Sequence, residues 1–127
     1  MSDYVLDTSA VLAFINEEPG SNRVEPHLRT APISAVNLAE VVTKLQERGF
    51  DDAAIDEALH LLALDVQPFE PDVASVAGKL HGTTRHAGLP LGDRDCLAFA
   101  QDLGATALTT DCARDGLDIG VAIELAR

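Results

Sequence analysis

The sequence predicts one α/β domain built on a mainly parallel sheet with helices on both faces. Short apolar segments alternate along the chain with longer segments whose apolar residues recur at helical spacing, which is the pattern of doubly wound folds. The first segment, Val5 and Leu6, is apolar without alternation, as expected for a parallel strand covered on both sides. At 127 residues, 46% of them hydrophobic, the chain is long enough for a single domain over residues 1–127.

Each predicted helix is marked by an apolar stripe at helical spacing and by a capping residue or a helix breaker at its ends. The helices predicted in this way cover residues 10–15, 24–28, 35–48, 52–62, 71–82 and 91–103. Their predicted caps or first residues are Thr8 or Ser9, Ser21, Ser34, Asp51 or Asp52, and Pro71. The strands predicted between the helices cover residues 5–6, 31–34, 66–69, 105–109 and 119–123.

The charge balance restricts the function. The chain has 21 Asp and Glu against 9 Lys and Arg, a formal net charge of −12, so it lacks the basic surface of a passive nucleic-acid binder. A solvated, charged face explains many of these acids, but acids that converge in a cleft would form a cation site. No apolar run approaches the roughly 18 residues of a membrane span, and we expect a cytoplasmic protein with no membrane contact.

The cysteines and histidines form no recognisable site. Cys96 and Cys112 have neither metal-pair spacing nor the density of a disulfide scaffold, so we expect reduced thiols without a catalytic role. His81 and His86 are too far apart around a helix to share an ion, and all four histidines are expected at surface or packing positions. Asp115 lies in a turn-like sequence and is interpreted as a turn residue.

Three acids lie at positions where a parallel sheet binds its ligands. Asp7 follows the first strand, Asp111 follows the strand at residues 105–109, and Asp93 lies in the first turn of a helix. Ligands of open α/β sheets bind at the carboxyl ends of the strands. For Asp7 and Asp93, a helix cap or a favourable interaction with the helix dipole is an equally good interpretation.

Helical wheels separate inward-facing from outward-facing acids. In the helix of residues 91–103, Asp93 falls on the apolar stripe and is expected to face inward. Asp95 falls on the opposite side and is expected to be solvated or paired with an arginine. Glu40 lies opposite the apolar stripe of its own helix, so periodicity alone favours a solvated acid that pairs with Lys44.

If the sheet is parallel, Asp7, Glu40, Asp93 and Asp111 all reach its carboxyl edge. Four carboxylates gathered there would raise one another's affinity for protons unless a cation neutralised them. Oxygen ligands without His or Cys favour Mg²⁺, with Mn²⁺ as a substitute, over Zn²⁺. Mg²⁺ held by carboxylates usually acts on phosphate groups.

The sequence resembles the PIN-domain ribonucleases, and among them the VapC-type toxins of bacterial toxin–antitoxin pairs. The resemblance extends over essentially the whole chain. It is carried by VLDTSA at residues 5–10, SAVNLAEV at 34–41, LGDRDCLA at 91–98 and LTTD at 108–111. Each segment is common on its own, but the order and spacing of all four are specific.

The resemblance implies a three-layer α/β/α sandwich and a Mg²⁺-dependent endoribonuclease that hydrolyses RNA with metal-activated water. Asp7, Glu40 and Asp93 match the acids that hold the metal in this family, and Asp111 matches a less uniform fourth. The match replaces the solvated interpretation of Glu40. The resemblance also implies a homodimer and a cognate antitoxin that blocks the active site.

Two further positions are assigned a role by the resemblance alone. Ser9 matches a hydroxyl that lies near the metal. Asp95 stands where many relatives have a small residue, and is a candidate extra acid.

Two interpretations from other classes remain open. A non-catalytic domain of the same fold would bind RNA or a protein, although the full set of four acids speaks against it. A phosphoryl-accepting receiver domain needs a lysine at a late strand end, which this sequence lacks. Arg85, Arg94 and Arg114 are candidates for phosphate contact, with a solvated role favoured for each. With 4% aromatic residues, the chain has few stacking platforms, so we expect the metal and the RNA fold to supply much of the recognition.

Overall fold

The computed structural model describes residues 3–111 and 119–127, in which strands and helices alternate as predicted. The strands are β1 (Tyr4–Leu6), β2 (Pro32–Ser34), β3 (Asp65–Gln67), β4 (Thr106–Thr109) and β5 (Ile123–Leu125). The helices are α1 (Thr8–Ile15), α2 (Ser21–Val24), α3 (Ala35–Glu47), α4 (Asp52–Leu62), α5 (Pro71–Thr83) and α6 (Leu91–Leu103). Short 3₁₀ turns cover Glu25–His27 and Arg85–Ala87.

The strand pairs in the described ranges are all parallel, which confirms the predicted type of sheet. β4 lies between β1 and β5, with Val5 opposite Ala107 and Leu108 opposite Glu124. β2 pairs with β3 in a second ladder. β2 also contacts β1, but these two strands form no hydrogen-bonded ladder in the described part of the chain. The single predicted sheet is therefore divided into two ladders.

Alternating strand residues face two separate hydrophobic cores. Leu6 and Leu108 are buried in a core that also contains residues of α1, α2, α3 and α4. Val5 and Ala107 are buried in a second core with residues of α5 and α6. Because successive strand residues point to opposite faces of a sheet, the helices cover both faces. The predicted three-layer α/β/α sandwich is confirmed.

The predicted limits of two strands are wrong. β5 begins at Ile123 rather than at residue 119, because the chain bends at Gly120, whose φ of +76° is left-handed and interrupts an extended strand. β3 ends at Gln67, since Pro68 has no N–H group to extend the ladder. Neither error moves the strand ends that carry the predicted acids.

The helix caps also differ in part from the prediction. Asp7, rather than Thr8 or Ser9, caps α1, and Gly20 takes the N-cap position of α2 that was predicted for Ser21. Gly20 has a φ of +97°, which glycine adopts without strain. The predicted caps confirmed by a hydrogen bond to the helix backbone are Ser34 and Asp51.

Some predictions fall on residues that the structure does not describe. Cys112, Arg114 and Asp115 lie outside the described ranges. Cys96 is described and is fully buried. Among the described helices, none is long and apolar enough to cross a membrane.

Candidate active site

Asp7 lies at the carboxyl end of β1, and its side chain is fully buried. Its Oδ2 atom accepts hydrogen bonds from the Ser9 N–H at 3.2 Å, the Ser9 hydroxyl at 2.5 Å and the Thr109 hydroxyl at 3.1 Å. The first of these bonds is the cap of α1. The capping interpretation is therefore correct, and it is compatible with a functional role because the carboxylate lies at the ligand-binding edge of the sheet.

Hydroxyl groups connect Asp7 with the end of β4, which Asp111 follows. The Asp111 N–H donates to Thr109 Oγ1 at 3.0 Å, and the Thr110 N–H donates to Ser9 Oγ at 3.0 Å. The two hydroxyls in turn donate to Asp7, so the donors converge on one carboxylate oxygen. Asp111 itself is half-buried. The parallel pairing of β1 and β4 thus brings two of the predicted acids to neighbouring strand ends, as the sequence implied.

Glu40 points toward the start of α1 and not into solvent. Its Oε1 atom accepts hydrogen bonds from the Thr8 hydroxyl at 3.1 Å and from Asn37 Nδ2 at 3.3 Å. Lys44, the partner that periodicity suggested, instead pairs with Glu47 at 3.4 Å. The interpretation of Glu40 as a solvated acid is therefore wrong, because the face of α3 opposite its apolar stripe is covered by α1 and α6 near Glu40.

Asn37 and Gly92 determine where the Glu40 carboxylate lies, and neither residue was assigned a role from the sequence. Asn37 is fully buried, and its Nδ2 donates to Thr8 Oγ1 and to the Gly92 carbonyl, each at 3.0 Å. The Glu40 carboxylate lies directly over Gly92, where an added Cβ would collide with it. The sequence signals are an amide one helical turn before an acid and a glycine in the first turn of α6.

Asp95, and not Asp93, is the more deeply buried of the two acids in α6. Asp93 is half-buried in the first turn of α6, whereas Asp95 is fully buried. The wheel assumed that α6 has one solvent face. In the fold α6 contacts α5, α3, β1, β2 and β4, so its second face is also covered. The prediction that Asp95 is solvated or bound to an arginine is therefore wrong.

The carboxylate of Asp95 is held without well-formed hydrogen bonds. Within residues 3–111 and 119–127, neither of its oxygens has a partner with good hydrogen-bond geometry, although the Ser34 hydroxyl lies near enough to interact. Burial raises the pKa of Asp95 above 3.8, the Ser34 hydroxyl partly offsets this effect, and the nearby charge of Glu40 raises the pKa further. Asp95 is thus a buried acid close to Glu40 that needs either a proton or a cation.

The carboxylate oxygens of these acids are chemically suited to bind a hard divalent cation. The acids near the strand ends offer oxygen ligands, and Asp95 adds two buried oxygens that lack donors in the described chain. In this conformation, however, no group of three or more His, Cys, Asp or Glu side chains among the described residues is arranged to hold a metal ion.

The arginines predicted to contact phosphate have different positions. Arg94 donates from Nε to the Leu89 carbonyl at 3.3 Å and from an Nη atom to the Ala77 carbonyl at 3.1 Å. It therefore links α6 to α5 and is neither solvated nor directed at a ligand. Arg85 is exposed, and Arg114 lies outside the described residues.

The fold and the strand-end acids define a member of the PIN domain family. The sequence profile of the PIN domain matches residues 4–113, and the chain belongs to this family. It is 29% identical over 114 residues to ribonuclease VapC42 of Mycobacterium tuberculosis, with 82% of this chain and 87% of that protein covered. The VapC ribonuclease Mb2780c of Mycobacterium bovis gives the same values.

Solved structures confirm the fold. VapBC2 from Rickettsia felis, bound to a DNA fragment from its promoter, matches with a TM-score of 0.76 and 20% identity, over 95% of this chain and 96% of that chain. VapC20 of Mycobacterium tuberculosis, a toxin that cleaves the sarcin–ricin loop, matches with a TM-score of 0.70 and 18% identity, over 91% of this chain and 96% of that chain.

Proposed function

We propose that this protein is a Mg²⁺-dependent endoribonuclease toxin whose metal is held by Asp7, Glu40, Asp93 and Asp111. The observation that carries the proposal is that three consecutive residues, Asp7, Thr8 and Ser9, connect Glu40 with the strand end that precedes Asp111. Asp7 and its neighbour Ser9 link to the end of β4, while Thr8 between them holds Glu40. The relatives VapC42 and Mb2780c are named ribonucleases, which supports RNA as the substrate.

Each part of this network has a task in the proposed reaction. Bound Mg²⁺ would supply an activated water and stabilise the charge that develops on the phosphate oxygens. Ser9 and Thr109 fix one oxygen of Asp7, and Thr8 and Asn37 fix one oxygen of Glu40. The other oxygen of each carboxylate would be left to bind the cation. Such supporting hydrogen bonds orient ligands and typically affect metal affinity or activity about 10–100-fold.

We further propose that the protein acts with a cognate antitoxin and forms a homodimer. Several structures of the same fold are toxin–antitoxin complexes, including VapBC2 from Rickettsia felis and VapBC from Salmonella typhimurium. An antitoxin with a basic group opposite Glu40 and its neighbouring acids would neutralise the same charges as the metal. A non-catalytic PIN-fold domain that binds RNA or a protein is the second candidate.

The decisive experiment is cleavage of total cellular RNA by the purified protein with Mg²⁺, with Mn²⁺ and with chelator. We expect discrete fragments with either metal and none with chelator. Glu40→Gln should abolish cleavage, because it removes the charge that Thr8 and Asn37 position. Glu57→Gln is the matched control on the exposed surface of α4, and it should cleave like the wild type. Metal binding without cleavage of total RNA or of structured RNA would favour the non-catalytic candidate.

A further inference from the structure

A cleft of about 370 Å³ runs between α1 and α3 and begins at the candidate active site. Ser9 and Thr110, the neighbours of Asp7 and Asp111, line part of it, and two ion pairs, Lys44 with Glu47 and Arg48 with Glu18, also line it. From the sequence alone, Lys44 was expected only as an ion-pair partner of Glu40, and Arg48 had no predicted role. The cleft therefore joins the carboxyl edge of the sheet to two cations, each of which is paired with an acid.

Glu40, Lys44 and Arg48 follow one another along one face of α3. Residues four apart lie on the same side of a helix, and each step of four advances about 6 Å along the axis. A ligand held at Glu40 and extending along this face would meet Lys44 first and then Arg48. The side chains of Lys44 and Arg48 are 57% and 55% exposed, so both are accessible to a ligand in the cleft.

The ion pairs of the two cations are easily replaced. Lys44 pairs with Glu47 and Arg48 with Glu18, each at 3.4 Å. Exposed pairs of this kind contribute little to stability, so a phosphate can displace the acids at small cost. Once Glu47 and Glu18 are displaced, Lys44 and Arg48 offer two positive charges to phosphates in a chain whose net charge is −12.

We propose that this cleft holds the sugar–phosphate backbone of single-stranded RNA on one side of the cleaved bond, with phosphates at Lys44 and Arg48. This inference deepens the proposed function and rests on it. A strand of RNA fits better than a protein, because the core of a protein interface is apolar and Leu12 is the apolar residue among the side chains that line the cleft.

Salt-dependent binding tests this placement. A short, labelled single-stranded oligoribonucleotide is titrated with the protein at several salt concentrations, in a Glu40→Gln background that leaves the RNA uncut. Two lost phosphate contacts should lower the salt slope by about 1.4 for Lys44→Ala/Arg48→Ala, so the loss of affinity should grow about 25-fold between 1 M and 0.1 M salt. Arg29→Ala/Lys79→Ala removes the same charge from exposed positions outside the cleft and should change the slope much less.

A second pair of variants predicts an effect of opposite sign. Glu18→Gln/Glu47→Gln releases both cations from their ion pairs and should tighten RNA binding. Asp56→Asn/Glu57→Gln on exposed α4 gives the same change in net charge and should have a smaller effect. A purely structural role of the ion pairs would instead predict equal effects of the two variants.

The outcomes separate this inference from the proposed function. If the wild type cleaves RNA but both cleft variants bind RNA like their controls, the cleft inference is wrong and the function stands. If no RNA is cleaved but the cleft variants show the expected salt slopes, the function is wrong and the cleft still binds RNA. If Lys44→Ala/Arg48→Ala weakens binding of the antitoxin and leaves RNA binding unchanged, the cleft holds a protein and the inference fails.

Discussion

Asp7 and Asp95 are both fully buried carboxylates near the carboxyl edge of β1 and β2, yet their surroundings differ. One oxygen of Asp7 accepts three hydrogen bonds, from Ser9 and Thr109. The oxygens of Asp95 accept none from the residues that the structure describes. Asp7 is placed by its own strand and by the residue two positions later, whereas Asp95 is placed by the packing of α6. Ser9, close to Asp7 in the sequence, supplies hydrogen-bond donors for its charge, whereas the packing of α6 buries Asp95 without supplying comparable donors.

The largest expected effect comes from removing the charge of Asp7, the buried acid that accepts three hydrogen bonds. Asp7→Asn should lower RNA cleavage by more than about 100-fold, because it removes a proposed metal ligand. The side chain also accepts charge-assisted hydrogen bonds, so we expect a loss of about 1–3 kcal/mol in the free energy of unfolding. Cleavage assays and denaturant unfolding measure the two effects. A folded variant with full activity would exclude Asp7 from the site.

A smaller effect is expected from replacing Gly92, over which the Glu40 carboxylate lies. A Cβ in Gly92→Ala would collide with the Glu40 carboxylate and turn it away from Thr8 and Asn37. We expect RNA cleavage and Mg²⁺ affinity to fall about 10–100-fold, as is typical when the support of a ligand is lost. The free energy of unfolding should change by less than about 1 kcal/mol, because the higher helix propensity of Ala offsets the lost hydrogen bonds.

Gly82→Ala is the matched control for this substitution. Gly82 lies in α5 and has open space where a Cβ would be added. Its replacement should leave cleavage unchanged and stabilise the helix by about 0.5–1 kcal/mol. Equal activity of the two alanine variants would show that the position of the Glu40 carboxylate does not depend on Gly92.

The sequence predicted those features that depend on near neighbours in the chain. The apolar strand before Asp7, the cap at Ser34 and the breaker at Gly104 are local, and the structure has all three. Glu40 and Asp95 were misjudged by periodicity because a helical wheel says nothing about a second covered face. The resemblance to a family corrected Glu40, but it identified neither the role of Asn37 nor the close approach to Gly92, since both depend on the contact between α3 and α6.

The smallest expected effect is on stability and comes from replacing Asp95, the buried acid without a well-formed hydrogen bond. Asp95→Asn removes a buried charge that the Ser34 hydroxyl offsets only in part, and should raise the free energy of unfolding at neutral pH. An increase of about 1–2 kcal/mol is expected, measured in chelator so that no cation offsets the charge. Asp102→Asn, an exposed position on the same helix, is the control and should change stability by less than about 0.5 kcal/mol.

The pH dependence of this gain distinguishes a charge effect from a packing effect. Because the pKa of Asp95 is raised above 3.8 by burial, the folded wild type binds its proton more tightly than the unfolded chain does. Below pH 3.8 both states are protonated and carry no charge penalty at this site. As the pH rises through the raised pKa, the wild type loses this contribution to stability while the variant does not. The advantage of Asp95→Asn should therefore be smallest in acid and grow with pH, and a difference that is constant across pH would mean that packing, not charge, sets the cost of Asp95.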